Sequence, residues 1–441
     1  MSKPLYDVLV IGGGVTGTAV MHVLSHYTNV SRIGIIEQHR DVAMVNSHPH
    51  NNSQTLHFGD IETNYVLEKA LPVKDAGQLI MNYVRRSPAR NLYQVTSKMV
   101  LAVGEQEVAE LRARFEQFSD SYPELRLIEA DEIAELEPEV MNGRDPKQSV
   151  VALLSPDGYA INYQLLSRSF MESADSGSCT VDQLFTTTVK SINRVNDEFV
   201  VALNGKESLR ARAVIVCAGP QSLIFAQEMG YAEELAFLPV AGSFYFTEHP
   251  VLRGKVYTVQ TPELPFAAVH GDPDVAMIGQ TRFGPTAKVI PMLERHRYNT
   301  VRPYLRTPIM RLAGLLTLLS LMRRPVLTRF ILKNLFYDWP LIGKWLYLKQ
   351  MRKIIPALSW SQVRLGKHLG GLRPQIVDTR QREMLMGEST VKGDRIIFNT
   401  TPSPGASVSL KNAESDVAWI IRQLGPNYTF DQEGFDRDLR N

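Results

Sequence analysis

The sequence predicts an α/β protein of two domains, and three observations carry that expectation. A short, branched apolar segment, Tyr6 to Ile11, runs directly into Gly12-Gly13-Gly14-Val15-Thr16-Gly17. An apolar stripe at helical spacing follows (Val15, Ala19, Val20, Val23, Leu24), and a second branched segment, Arg32 to Glu37, completes a βαβ unit. Finally, 441 residues exceed one ordinary core, so a second domain is expected, with interleaving allowed.

The bulk properties narrow the class. With 44% hydrophobic and 21% charged residues the chain is globular, and a net charge of +2 argues against nucleic acid as a partner. Cys179 and Cys217 stand in no C-x-x-C or metal-like spacing, so they read as buried thiols in a reducing compartment. No metal site is expected. No signal peptide is apparent, and no uncharged apolar run reaches the roughly 20 residues that span a bilayer. The longest, Leu312 to Met322, has 11 residues.

Along the chain, the polar stretch Asn46 to Asn64 is too long for a plain connector and reads as a functional loop. Helices are predicted over Thr63–Val84, Glu105–Phe118, Asp131–Glu137 (stopped by Pro138) and Gln164–Ala174. Strands Phe199–Leu203 and Leu209–Val216 flank an Asn204-Gly205 hairpin signal. The second ends in Cys217-Ala218-Gly219-Pro220, which suits a further strand of the N-terminal sheet. Several short strands are expected over Pro239–Gly284 and a basic, apolar helical region over Arg302–Ile355. A strand at Arg395–Phe398 and a final amphipathic helix near Asn412–Leu424 complete the reading.

The glycine turn points to a dinucleotide. Gly12 permits the tight turn, Gly14 lets the backbone approach a pyrophosphate, and Gly17 lets helix and sheet pack closely. The helix start, with Val15 and Thr16, offers free N–H groups and a positive dipole end. Glu37 ends the second strand, where a carboxylate accepts hydrogen bonds from a ribose. A distant turn, Asn399 to Ser407, selects FAD over NAD: Ser403, Pro404, Gly405, Ala406 and Ser407 precede a helix and can aim backbone N–H groups at an isoalloxazine ring.

These segments, together with Asn51-Asn-Ser-Gln-Thr55, Gly59-Asp-Ile-Glu-Thr-Asn-Tyr65 and Gly371-Leu-Arg-Pro374, occur in an order that resembles the malate:quinone oxidoreductases, particularly their shorter bacterial branch. More broadly they resemble the D-amino-acid oxidase and L-2-hydroxyglutarate oxidase superfamily. The resemblance runs nearly end to end and is weakest over 302–355. It implies a Rossmann-like FAD-binding domain of discontinuous segments (1–80, 150–230 and 360–441). An interleaved α+β substrate domain with an antiparallel sheet takes 81–149 and 231–359. The implied reaction is FAD-dependent oxidation of (S)-malate to oxaloacetate by hydride transfer to flavin N5, with electrons passed to a membrane quinone.

The resemblance also implies site residues. Arg373 would grip the substrate carboxylate, its planar fork matching both oxygens. Malate has two carboxylates, and Arg282 is the candidate for the second. The hydroxyl proton needs a base, for which His270 and His57 are candidates, with His270 slightly preferred. His57 is alternatively a flavin contact or attachment point. Asn52, Ser53, Gln54 and Thr55 would line the flavin, with Gly219 beside it.

Arg306 to Lys353 holds 10 Lys or Arg against the single acid Asp338, among bulky apolar residues. That composition suits an interfacial segment, and 302–355 is expected to face anionic lipid. The protein is therefore expected in the cytoplasm, peripheral on the inner face of the cell membrane. The competing readings are a related 2-hydroxy-acid oxidase acting on L-2-hydroxyglutarate, a non-catalytic binding module on the same fold, and an NAD-linked dehydrogenase that leaves the Ser403–Ser407 turn unexplained.

Overall fold

The computed structural model describes residues 4–205, 207–260, 269–310, 312–337, 339, 341–385, 390–401 and 404–441. Leu5–Ile11 is the central strand of the first sheet, whose order is Thr390–Gly393, Ile396–Asn399, Ser208–Val216, Leu5–Ile11, Arg32–Ile36, Thr180–Leu184. The four inner pairings from Ile396–Asn399 to Thr180–Leu184 are parallel. Leu5–Ile11, Arg32–Ile36 and Ile396–Asn399 read as mainly apolar runs because both faces are covered, whereas Thr180–Leu184 stays partly exposed. Helices Val15–Tyr27, Tyr163–Asp175 and Ser409–Leu424 pack on one face through Val20, Leu24, Leu166, Phe170 and Val417. The hairpin of Val189–Val195 and Glu198–Leu203 brings Phe199 and Val201 against Leu9 and Ile11 on the other.

The second sheet runs Val363–Leu365, Tyr245–Thr247, Thr281–Gly284, His270–Pro273, Lys255–Thr258, Tyr93–Val103, Val150–Ile161, Arg126–Glu129. It is antiparallel except where Lys255–Thr258 lies parallel to Tyr93–Val103. A smaller antiparallel sheet pairs Leu235–Ala241 with Leu372–Asp378, which puts Arg373 opposite Val240.

Several boundaries differ from expectation for local reasons. The helix expected from Thr63 starts at Leu67 and runs to Arg86 with Pro72 inside. The helix expected to stop at Pro138 does so, ending at Leu136, and Pro138 opens a separate short helix, Pro138–Met141, where its missing N–H is no loss. The helix ending at Leu424 is not the last, since Gln432–Leu439 follows, capped by Asp431. Part of the expected strand before His270 and the residues Pro402 and Ser403 lie outside the described residues.

The basic region folds as helices Val301–Tyr304, Leu312–Met322, Pro325–Leu335 and Ile342–Ile354. The two middle helices turn much of their apolar surface outward. Leu312–Met322 buries Gly314, Thr317 and Leu321 while Leu312 and Leu319 are 74% and 60% exposed. Pro325–Leu335 buries Asn334, whose Oδ1 accepts the Ala287 N–H, and exposes Val326 and Leu332. Among the described residues, no helix is long and apolar enough to cross a membrane.

Candidate active site

The two glycine turns face one cavity. Gly12, Gly14, Val15, Thr16, Glu37 and Gly219 line it together with Pro404, Gly405, Ala406 and Ser407. Gly12 has φ +106°, and a Cβ there would sit 2.4 Å from the Cys217 carbonyl oxygen. Gly17 does not line the cavity; a Cβ on it would meet the Gly12 carbonyl oxygen at 1.9 Å, so it serves close packing. Helix Val15–Tyr27 has neither a side-chain cap nor an acid in its first turn, which leaves its positive end for a phosphate. The Glu37 carboxylate accepts from the Gly13 N–H (2.7 Å) and the His39 N–H (2.8 Å), so it is held at the cavity wall with lone pairs to spare.

The polar loop forms another wall. Asn52, Ser53, Thr55 and His57 line the cavity, whereas Gln54 does not. The loop's amides are largely engaged within the protein. Asn52 Nδ2 donates to the carbonyls of Asn46 and His48, and its Oδ1 accepts the Gln54 N–H. Gln54 is fully buried, donating to Pro49 O and Asp274 Oδ2 and accepting from the Val275 N–H. The amide richness is thus mainly how an irregular loop meets its own backbone demand.

Buried cations of the second sheet and of helix Glu105–Phe118 meet the rest of that demand from behind. Arg282 Nη1 donates to Asn52 O (3.0 Å), and Lys255 Nζ donates to Ser53 O (2.6 Å). Arg114 donates to the carbonyls of Gly59, Asp60 and Tyr65. Lys98 holds both oxygens of Asp60 at 3.1 Å. Burial alone would raise the Asp60 pKa, but Lys98 and hydrogen bonds outweigh it and hold it low. Lys255 is pulled down to about 7 by burial, against the pull of Asp272 3.3 Å away.

Two expected catalytic residues also stand apart from the cavity, as Gly17 and Gln54 do. Arg282, fully buried, pairs through Nε with Asp272 Oδ2 (3.0 Å) and through Nη1 with Asp274 (3.5 Å). His270, also buried, lies 3.4 Å from Asp272 and packs on the Tyr257 ring. Neither lines the cavity. His57 does, and its Nδ1 bonds to Glu62 Oε1, while Ser407 Oγ accepts its backbone N–H at 3.0 Å. This dyad fixes the ring and leaves Nε2 on the other side.

Arg373 is brought in by the Gly371 turn. The Leu372 N–H donates to Asn46 Oδ1 and the Gly370 N–H to Asn51 Oδ1, and a Cβ on Gly371 would meet the Asn51 carbonyl at 2.2 Å. Arg373 is the only Arg or Lys among the described residues lining the cavity, and it has no ion pair or hydrogen bond among them. Burial pulls its pKa below the usual arginine value.

Comparison with known proteins gives this arrangement a family. Residues 7–409 match the family model described as FAD dependent oxidoreductase. The chain is 37% identical to a malate:quinone oxidoreductase of Helicobacter pylori, with 98% of each covered. The chain belongs to the malate:quinone oxidoreductase family. It is 24% identical to the mitochondrial L-2-hydroxyglutarate dehydrogenase of Caenorhabditis briggsae, over 93% of this chain and 92% of that one. Its fold matches the FAD-bound L-alpha-glycerophosphate oxidase of Mycoplasma pneumoniae with a TM-score of 0.68 at 20% identity, covering 97% of each chain.

FAD is the cofactor of this oxidoreductase. The residues present fit it: a helix start with no acid in its first turn, a carboxylate at the end of the second strand, and a distant turn share one cavity. Ser47, Tyr163 and Glu62 escaped the sequence reading. Ser47 Oγ accepts the Val15 N–H (3.1 Å), and the Tyr163 hydroxyl donates to Thr55 O (2.8 Å). For Glu62 the signal was its place in the Gly59–Tyr65 motif, five residues after His57.

Proposed function

We infer that the protein oxidises (S)-malate to oxaloacetate and delivers the electrons to a membrane quinone. FAD supplies the acceptor for the hydride of malate C2. The observation that carries the substrate reading is Arg373, a guanidinium without a partner among the described residues, on the wall of the cofactor cavity. An anion with a planar carboxylate completes it. His57 takes the hydroxyl proton at Nε2, oriented by Glu62 at Nδ1. Arg282 and Lys255 act from behind, holding the loop that carries Asn52, Ser53 and His57. Segments 1–80, 150–230 and 360–441 build the cofactor half, and the second sheet roofs it. The test is malate-dependent reduction of a soluble quinone without added NAD. No turnover with malate by a yellow preparation would refute the assignment.

The basic helices serve the quinone. Exposed Leu312, Leu319, Leu332, Trp339 and Trp345 stand among exposed Arg323, Arg324, Arg329, Lys333 and Lys349. Lys349 lies 3.8 Å from the Trp345 ring centroid. Helices that bury Gly314, Thr317 and Asn334 beside Leu321 and Leu327 while turning most of their other leucines outward are built to meet an apolar medium, and the bases match anionic headgroups. We assign this surface to the inner face of the cell membrane. Replacing Leu319 and Leu332 with Glu should release the protein from anionic vesicles in a sedimentation assay. Unchanged sedimentation would contradict it.

A further inference from the structure

Residues 290–300 are far in sequence from the glycine motif, yet Leu293 and Glu294 line the same cavity as Glu37 and Gln38. The turn is firmly built. Thr300 Oγ1 accepts the Leu293 N–H (3.3 Å) and donates to Arg297 O (2.6 Å), and Leu293 is buried with Leu223, Phe237 and Tyr304. Its carboxylate faces the first domain. Glu294 Oε1 lies 3.6 Å from His39 Nε2, and Oε2 lies 3.0 Å from Arg297 Nη1, which also donates to Gln38 Oε1 at 2.9 Å. On the other flank Arg295 donates to the Gly242 carbonyl and to Ser243 Oγ. His39 joins both acids of the wall, its N–H holding Glu37 and its ring facing Glu294.

We propose that this turn is a clasp of the dinucleotide site, with Glu294, fastened by His39 and Arg297, acting to retain FAD. The proposal rests on FAD filling this cavity. Leaving through this wall requires the turn to part from the exit of the second strand, which breaks ion pairs shielded from solvent on the Glu294 side (14% exposed). Titration supports the geometry. The nearby Glu294 carboxylate raises the His39 pKa; burial opposes this, the charge of Glu37 adds to it, and Arg297 opposes it. The fastening is complete below the ordinary histidine value of about 6.5 and weakens as pH rises through the raised one.

The experiment follows FAD release from diluted holoenzyme by the rise of free-flavin fluorescence. Glu294→Gln should release FAD about fivefold faster than wild type at pH 6.5, with an unchanged circular dichroism spectrum. Wild-type release should accelerate from pH 6 to 9, and His39→Gln should flatten that dependence. Glu198→Gln, in the Arg210 pair of the distant hairpin, should change nothing. A Glu294→Gln rate within twofold of wild type overturns the clasp. If that variant does not fold, Arg297→Met is read by the same criterion. Wild-type protein that takes up no FAD would instead overturn the cofactor reading beneath it.

Discussion

Replacing Arg373 with Met separates binding from folding. The guanidinium lines the cofactor cavity without an ion pair or hydrogen bond among the described residues, and burial disfavours its charge. A charged hydrogen bond is worth about 1.5–3 kcal/mol, so a two-pronged grip on a carboxylate is worth roughly 3–6 kcal/mol. At one decade per ~1.4 kcal/mol, Arg373→Met should lower kcat/KM for malate by roughly 10²–10⁴. Arg373→Lys keeps the charge but loses the fork, and should fall between. Since the cation has no ion pair or hydrogen bond to lose among the described residues, thermal unfolding should stay level or rise slightly. The assay is steady-state reduction of a soluble quinone beside a melting curve with FAD bound. A loss below about tenfold, or a Tm drop that accounts for the lost activity, would refute the reasoning.

Further predictions rest on other contacts. Glu62→Gln removes the carboxylate that orients His57 and should lower kcat about tenfold with less effect on KM, checked by initial rates across malate concentrations. Gly371→Ala places a Cβ 2.2 Å from the Asn51 carbonyl and should displace Arg373, abolishing malate turnover in a protein that stays yellow by absorbance. Glu37→Ala strips the carboxylate from the N–H groups of Gly13 and His39 and should weaken FAD binding about tenfold or more, measured by flavin titration of apoprotein. Lys255 is held at about 7 when folded and returns to the ordinary lysine value when unfolded. The unfolded chain then binds the extra proton between those values, and this residue's contribution to stability rises with pH from about 7 towards about 10.4. Lys255→Met should remove that rise from the pH dependence of Tm.

What was legible in the sequence was local. The Gly12–Gly17 turn needs only a strand, a helix start and three glycines in a row of contacts, all within the first 40 residues. The two longest strands of the second sheet went unread, and one of them, Val150–Ile161, contains Pro156-Asp157-Gly158, residue types that favour a turn. In the fold that stretch is an irregularity in the pairing of Tyr93–Val103 with Val150–Ile161, and Gly158 leaves room for Lys98 to pass. The histidines show a different limit. His270 and His57 looked alike in sequence, yet one is sealed beside Asp272 and the other faces the cavity, a distinction made by tertiary packing alone. Gln54 illustrates the same point, since an amide suited to a cofactor is drawn inward to Asp274. Glu294 was beyond reach because nothing near it in the chain marks it as a neighbour of Glu37.

The most direct test is anaerobic mixing of the yellow protein with single 2-hydroxy acids while the flavin absorbance near the visible maximum is followed. (S)-Malate should bleach the flavin, and a later addition of quinone should restore the colour. Bleaching by L-2-hydroxyglutarate with malate inert would contradict the assignment.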